Sequence, residues 1–350
     1  MRRRLLGTSP LVVAGAAAFV VALFAIPPLL GEFLPQRVSD YLIFGMPALA
    51  VALIAGHARL LNVGVGATFG ASAYAVAVAS QHGLVSPVPV MLISIGVGVL
   101  SSVLFAIYAV VATGLEYLLL TLLTTSAFAA LPLLFSGPLG GENGLPVMGS
   151  PGISFGLVGL SGNGFYWLLC VVTVFWLGLS WYLLRSRVGR ATIAVGRNPG
   201  RAAAMGYSVN AYRVAVTLYS GTIAASAGWL YAIDHIFVFQ DLLGLQNSVN
   251  FVLYSLVGGV DTVVGPLLGT VGLRFLQEVT GQTTQSQLYV GIALLVAVYL
   301  LPAGVVGGAR QLLLLRHRLR RAARGEVEEP LSSALAEVEM DSAFTTAPEE

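Results

Sequence analysis

The sequence contains no lysine and a single cysteine, and only 10% of its residues are charged. A phosphate-binding P-loop needs a lysine to reach the nucleotide phosphates, and a Schiff-base enzyme needs a lysine amine. Both chemistries are therefore excluded for this chain. Because Cys170 is its one thiol, the chain also has neither a disulfide framework nor a cysteine-based metal site.

Apolar side chains, in contrast, are abundant. They make up 57% of the sequence, and the mean hydropathy is +0.85. A transmembrane helix needs about 20 mostly apolar residues, so we expect an all-α integral membrane protein with about ten transmembrane helices. The candidate spans are 10–30, 41–61, 63–80, 88–113, 117–136, 165–184, 212–233, 248–263, 265–281 and 288–306. The runs at 63–80 and 248–281 are short and glycine-rich, and they fit either full spans or broken, re-entrant helices.

The distribution of arginine predicts the orientation, because short loops rich in basic residues stay in the cytoplasm. Ten spans with both termini cytoplasmic leave only Arg37 outside and Arg274 within a span. We therefore predict a transmembrane domain at 1–310 and a cytoplasmic tail at 311–350. The basic start of this tail is expected to lie at anionic lipid head groups, and its acidic remainder is expected to be disordered.

Two loops differ from the others in composition. The predicted outer loop, 137–164, is rich in glycine, serine and proline, whereas the predicted inner loop, 185–211, contains the signal for a short helix. Asn198 can cap its first turn, Pro199 suits the first helical position, and Gly206 can end it in a left-handed conformation. A capped helix of about seven residues is marginal alone, so this one needs a surface to dock against.

Intramembrane charge and glycine spacing supply the other candidate residues. Asp261 and Arg274 lie 13 residues apart within the predicted spans and could pair, with a structural role as the simpler interpretation. Small residues four apart, as at Gly66 and Gly70, allow close helix packing, but two interrupted segments in corresponding halves can instead line a central path. Both interpretations stay open. The candidate path residues are Asn62, Gly64, Gly66, Thr68, Gly70, Gly258, Gly259 and Asp261.

No group of histidines has metal-ligand spacing, and no catalytic grouping of serine, histidine and aspartate is recognisable. We therefore expect a transport protein without a metal or cofactor of its own, rather than an enzyme. An enzyme or assembly factor within the membrane stays as a rival interpretation.

The segment 186–232 resembles the cytoplasmic loop and following span of permease subunits of branched-chain amino acid ABC importers. Further similarities are NVGVGATFGASAY at 62–74, LGGENGL at 139–145, the glycines between 258 and 269, and LPAGVVG at 301–307. Together they cover residues 40–310 in the family's order. Within the first segment the matching residues are Ser186, Gly189, Arg190, Ala191, Ala202 and Gly206.

This resemblance implies several partners: a second homologous permease subunit, two cytoplasmic P-loop ATPases that use ATP, and an extracytoplasmic solute-binding protein. It places the chain in a bacterial-type inner membrane and implies no nucleic acid partner. It also gives the short helix a role as the coupling helix that docks on an ATPase. The implied coupling residues are Asn198, Pro199, Arg201, Ala202, Met205 and Gly206.

The expected solute is a branched-chain amino acid or a related small molecule. Three departures from the family pattern leave urea, short amides and other small polar solutes as alternatives. The acidic residue often present near the start of the family's coupling helix is replaced by Pro199 or Gly200. The family's Ser-Leu-Gly-His is replaced by Asn62-Val63-Gly64-Val65, and Asp261 stands where a small residue is usual. A second alternative is a secondary carrier or facilitator that works without an ATPase.

Overall fold

Helices make up nearly all of the chain that the structure describes. The structure is a computed structural model, and it describes residues 33–84, 86–148, 154–155, 158–159, 163–281 and 291. The predicted spans at 10–30 and 288–306 and the tail at 311–350 lie outside the described residues. The total of ten spans, the side on which each terminus lies and the division at residue 310 therefore stay predictions.

Eleven α-helices can be followed in these residues, together with four strands of two residues each. The strands form two antiparallel pairs: β1 (Leu145–Pro146) with β4 (Phe237–Val238), and β2 (Ser154–Phe155) with β3 (Val158–Gly159). The helices are α1 Phe33–Ala52, α2 Val65–Gln81, α3 Pro87–Val111, α4 Leu115–Leu134, α5 Ser136–Leu139, α6 Asn163–Arg185, α7 Arg187–Arg197, α8 Pro199–Ala204, α9 Val209–His235, α10 Leu245–Gly258 and α11 Gly265–Thr280.

Four helical stretches are long and apolar enough to cross a membrane, judged by length and composition. They are Gln36–Ala58, Pro87–Val111, Leu115–Leu134 and Gly164–Arg185. Each coincides with a predicted span, so these four predictions of helices are confirmed. The first contains α1 and a wider π-helical turn, Leu53–Ala58, which we call the π segment.

The glycine-rich runs form helices shorter than a full span. α2 is continuous over 17 residues, which is about 26 Å. α10 and α11 have 14 and 16 residues and are joined by a turn at 259–264. Since the hydrocarbon core of a membrane is about 30 Å thick, α10 and α11 form a hairpin of short helices rather than two full straight spans.

The predicted inner loop contains two helices, where the sequence indicated one. α7 precedes the short helix and begins at Ser186, whose hydroxyl accepts a hydrogen bond from the Gly189 amide at 3.2 Å. The short helix that the sequence predicted is present, and α7 is a second helix that the sequence analysis missed. Two signals in the sequence indicate α7. Val195 follows Ala191 and Thr192 at the spacing of one buried helix face, and Ser186 can cap the first turn.

α2 lies at the centre of the packing and contacts α3, α9 and α10. Small residues allow this close approach: a Cβ atom at Gly228 of α9 would overlap the Phe69 carbonyl oxygen of α2. Hydroxyls add hydrogen bonds between the same helices. Ser72 of α2 donates to the Ala225 carbonyl at 2.6 Å, and Ser94 of α3 donates to the Ser72 carbonyl at 2.9 Å.

We predict that Gly228→Ala lowers the melting temperature of the purified protein in detergent. Alanine is the better helix former by about 1 kcal/mol, but the added methyl group meets a backbone atom of α2 that cannot move alone. Overpacking of this kind costs about 1–3 kcal/mol. Gly178→Ala on α6 is the matched control, because a Cβ there has open space. Equal melting temperatures for the two variants would contradict the packing interpretation.

Candidate functional site: a docking segment and a polar cleft

The short helix α8 has the caps that the sequence predicted. At its start, the Asn198 Oδ1 atom accepts a hydrogen bond from the Arg201 amide at 3.0 Å, and Pro199 occupies the first turn. At its end, Gly206 has φ +85°. The Tyr207 amide donates to the Ala202 carbonyl at 3.1 Å and the Gly206 amide to that of Ala203 at 2.9 Å, which is a Schellman motif.

α8 is held to the protein by one side chain and otherwise faces outward. Ala202 is buried, whereas Arg201 is exposed. Met205 and Tyr207 follow the helix with exposed fractions of 60% and 42%. The caps and this outward surface define what we call the docking segment, residues 198–207.

α7 connects the docking segment to the membrane helices. Gly196 of α7 packs against the backbone of His57 and Ala58, so closely that a Cβ atom there would overlap the His57 carbonyl oxygen. On the same π segment, a Cβ atom at Gly56 would overlap the Val260 carbonyl oxygen. The π segment therefore touches α7 on one side and the turn between α10 and α11 on the other.

The first group of predicted path residues lies around the start of α2. Asn62 is buried, and its Oδ1 atom accepts a hydrogen bond from the Gly64 amide at 2.7 Å. The Thr68 hydroxyl donates to the Gly64 carbonyl at 3.4 Å. Gly66 and Gly70 bring the α2 backbone close to residues 242–248. Within this chain, Asn62 and Thr68 therefore form hydrogen bonds near the start of α2, and Gly66 and Gly70 allow close packing. A role of these residues in lining a transport path stays a prediction.

The second group lies at the turn of the hairpin. Gly258 is in close backbone contact with Gly265, and Gly259 adopts φ +106°. The Thr262 hydroxyl accepts from the Gly265 amide at 3.1 Å and so supports the start of α11. Asp261 is exposed beside this turn. Among the described residues, no hydrogen bond joins this group to Asn62 or Thr68.

The expected pairing of Asp261 with Arg274 is wrong. Arg274 of α11 pairs with Asp40 of α1, at 2.8 Å between Nη1 and Oδ2. Asp261 lies before the start of α11, whereas Arg274 lies nine residues along it, about 14 Å from Gly265. The antiparallel packing of α11 on α1 places Asp40 at the level of Arg274 instead.

A polar cleft of about 340 Å³ opens beside this ion pair. Its floor is aromatic: Phe44 and Tyr231 are 5% and 7% exposed, and the Arg274 guanidinium lies 3.5 Å from the centre of the Phe44 ring. His235 stacks on Tyr231 with ring centres 4.0 Å apart. The lining residues are Asp40, Phe44, Tyr231, His235, Phe239, Asp241, Leu242, Asn247 and Arg274.

Asp40 is the functional candidate that the sequence interpretation missed. It lies next to a predicted span, and a charged residue at that place is expensive to bury unless it has a partner. That signal was available in the sequence. The partner of Asp40 could not be predicted from the sequence, because Asp40 and Arg274 are 234 residues apart.

The described residues form apolar helices with a capped helix pair before the start of α9 and a polar cleft at its end, features that fit a membrane transport protein. Residues 37–309 match the family model described as "Branched-chain amino acid transport system / permease component". The chain belongs to this family. It is the transport component of an ABC-type import system and not an enzyme.

Two similar proteins are permeases of autoinducer 2 import systems. The chain is 31% identical over 248 residues to the autoinducer 2 import system permease protein LsrC of Enterobacter sp. (strain 638), which covers 68% of this chain and 70% of that protein. It is 25% identical over 252 residues to the autoinducer 2 import system permease protein LsrD of Escherichia coli (strain K12), with 69% of this chain and 73% of that protein covered. No solved structure matches the chain.

We predict that Asn198→Ala loosens α8 without affecting the rest of the fold. Loss of an N-cap costs about 0.5–2 kcal/mol, so backbone amides of residues 201–205 should exchange with solvent several-fold faster in hydrogen–deuterium exchange. Asn210→Ala is the control, because Asn210 lies exposed in the first turn of α9 and is not its cap. Unchanged exchange at 201–205 would show that the cap does not hold α8.

Proposed function

We propose that this chain is a membrane-spanning subunit of an ATP-driven importer in a bacterial inner membrane, and that α8 is its coupling helix. It works with a second homologous permease, two cytoplasmic P-loop ATPases and an extracytoplasmic solute-binding protein. ATP is bound by the ATPases and not by this chain. The observation that carries the proposal is the docking segment: a helix capped at both ends, anchored by Ala202, with Arg201 and Met205 facing outward.

The contacts of α7 support a route for the coupling. When the ATPases close on ATP, the docking segment moves with them, and α7 moves with it because Asn198 joins α7 to α8. Gly196 then transmits this movement to the π segment, and Gly56 transmits it to the hairpin turn. π-helical turns often mark functional sites. The hairpin carries Gly258, Gly259 and Asp261 next to the path between the two permeases.

We propose a small, sugar-like polar molecule as the solute, with a branched-chain amino acid as the alternative. The import of autoinducer 2 by the relatives LsrC and LsrD supports this choice, since autoinducer 2 is sugar-like. The departures at Asn62–Val65 and Asp261 also separate this chain from the pattern of the amino acid permeases.

The first experiment is purification of the tagged protein from native membranes in mild detergent, followed by mass spectrometry of its partners. Recovery of P-loop ATPases together with a second permease is the expected result. Recovery of this chain as a stable oligomer without an ATPase would contradict the proposal and favour a secondary carrier.

We predict that Gly206→Val abolishes solute uptake while the protein still inserts into the membrane. A β-branched residue at φ +85° costs more than 1 kcal/mol, so the end of α8 and its outward surface change. Gly83→Val is the matched control: Gly83 has φ +78° with open space around it, and it follows α2 outside the docking segment. Normal uptake by Gly206→Val would count heavily against a coupling role.

We predict that Gly196→Ala separates docking from transport. The added methyl group cannot fit between α7 and the π segment, so the ATPases should still bind and hydrolyse ATP while uptake falls by tenfold or more. Gly178→Ala should retain both activities. The measurements are co-purification, ATP hydrolysis and uptake in parallel. A proportional loss of all three would indicate misfolding, and retention of all three would refute transmission through the π segment.

A further inference from the structure

The polar groups of the polar cleft have fewer hydrogen-bond and ion-pair partners than those of a neighbouring cleft. The neighbour, of about 490 Å³, contains Arg37 and Glu278, which form an ion pair at 3.0 Å. Tyr41 also donates to Glu278 at 2.6 Å. The charged groups of that cleft therefore bind one another. The two clefts share Asp40 and Arg274, and this ion pair separates them.

In the polar cleft several hydrogen-bonding atoms have no partner among the described residues. The Asp40 Oδ1 atom lies 3.5 Å from His235 Nε2 but accepts no hydrogen bond, and Arg274 Nε donates none. The Gln240 Oε1 atom, in the adjoining turn, is buried without a partner as well. Leaving a buried polar atom unpaired is unfavourable by about 1–3 kcal/mol. These three atoms are buried, so a solute in the cleft reaches Asp40 and Arg274 only through the exposed parts of their side chains, which are 24% and 23% exposed.

The rim of the cleft adds two more groups. The Asp241 carboxylate makes no hydrogen bond or ion pair with the described residues. Asn247 donates through Nδ2 to the Asp241 carbonyl at 2.8 Å, which leaves its Oδ1 atom as an acceptor. Acceptor oxygens from Asp40, Asp241 and Asn247 thus surround a cleft whose one arginine is already paired.

This arrangement disfavours an anionic group and suits hydroxyl groups. An anionic group would meet the Asp241 carboxylate, and the Arg274 charge that could bind it is largely neutralised by Asp40 at 2.8 Å. Hydroxyls can donate to the carboxylate and amide oxygens and also accept from the guanidinium N–H groups that Asp40 does not use. The rings of Phe44, Tyr231 and Phe239 supply an apolar wall for the carbon skeleton, which is the usual composition of a small-molecule site.

We propose that the polar cleft is a recognition site of the permease for a neutral, hydroxyl-rich solute of about the size of a monosaccharide. Asp241 and Asn247 bind its hydroxyls at the rim, and the Asp40–Arg274 pair binds it at the floor beside Phe44. The inference rests on the proposed import function. It means that the solute is selected twice, first by the solute-binding protein and then by this chain.

The test is equilibrium binding to the purified permease complex without the solute-binding protein, by titration calorimetry and by the rise in melting temperature with solute. The probes are autoinducer 2 and L-leucine. The wild type is expected to bind autoinducer 2 and not L-leucine. Asp241→Asn and Asn247→Ala should each weaken this binding about tenfold. The first replaces a charged acceptor with a neutral amide, and the second removes an acceptor oxygen. Glu142→Gln is the control, because it removes an exposed acid outside the cleft.

Exchanging the two charged residues at the floor of the cleft tests whether the ion pair binds solute or only stabilises the fold. The double variant Asp40→Arg with Arg274→Asp preserves the attraction between α1 and α11 but reverses the positions of donors and acceptors. It should melt close to the wild type and bind autoinducer 2 at least tenfold more weakly.

Three results would overturn the inference: wild-type affinity in both rim variants, binding of L-leucine instead of autoinducer 2, or binding of neither probe. The proposed import function fails by a different result, the absence of an ATPase from the purified complex. The two failures are therefore distinguishable in one preparation.

Discussion

Close contact between helix backbones at small residues is the constraint on which the rest of this protein depends. In a membrane, apolar side chains gain little by leaving lipid for one another, so helices associate through packing and hydrogen bonds. Gly70 of α2 allows close contact with residues 242–243, and Gly228 of α9 allows close contact with the α2 backbone. Ser72 of α2 adds a hydrogen bond to α9. A larger side chain at either glycine would push apart helices that have no solvent-driven force to bring them back.

This packing also explains how one chain can hold two distant functional regions. α9 packs tightly along α2 and α3, and it spans 27 residues, which is about 40 Å. It begins directly after the docking segment and ends at His235 in the polar cleft. Because its middle is fixed by buried contacts, both regions have a defined position relative to the same helix.

Local features of the fold could be predicted from the sequence, and features that depend on distant residues could not. Asn198, Pro199 and Gly206 act through bonds within a few residues, so the caps of α8 followed from the pattern alone. The apolar lengths of the four confirmed spans also depend only on residues that are neighbours in the sequence. In contrast, the partner of Arg274 depends on how far α11 slides along α1, which is set by contacts such as Leu267 against Gly45.

The glycine motifs show where sequence interpretation reaches its limit. Gly66 and Gly70 fit both tight packing and a broken helix, because both need residues without a side chain. The structure shows a continuous α2 with close neighbours, so packing is the role visible within one chain. α10 and α11, with 14 and 16 residues, are shorter than full straight spans, which is one of the two alternatives that the glycine-rich run at 248–281 left open.

The hairpin of α10 and α11 contacts α1 and the π segment at three levels, and these contacts connect the docking segment with the polar cleft. Val260 contacts Gly56 at one end, Leu267 packs on Gly45 in the middle, and Arg274 pairs with Asp40 at the other end. α11 is a rigid rod between the last two contacts, so a displacement of the turn by the π segment shifts Leu267 and Arg274 with it. The ion pair of the polar cleft therefore lies at the far end of the hairpin whose turn contacts the π segment. In the proposed mechanism, solute recognition at the cleft and the response to the ATPases would both act on this hairpin.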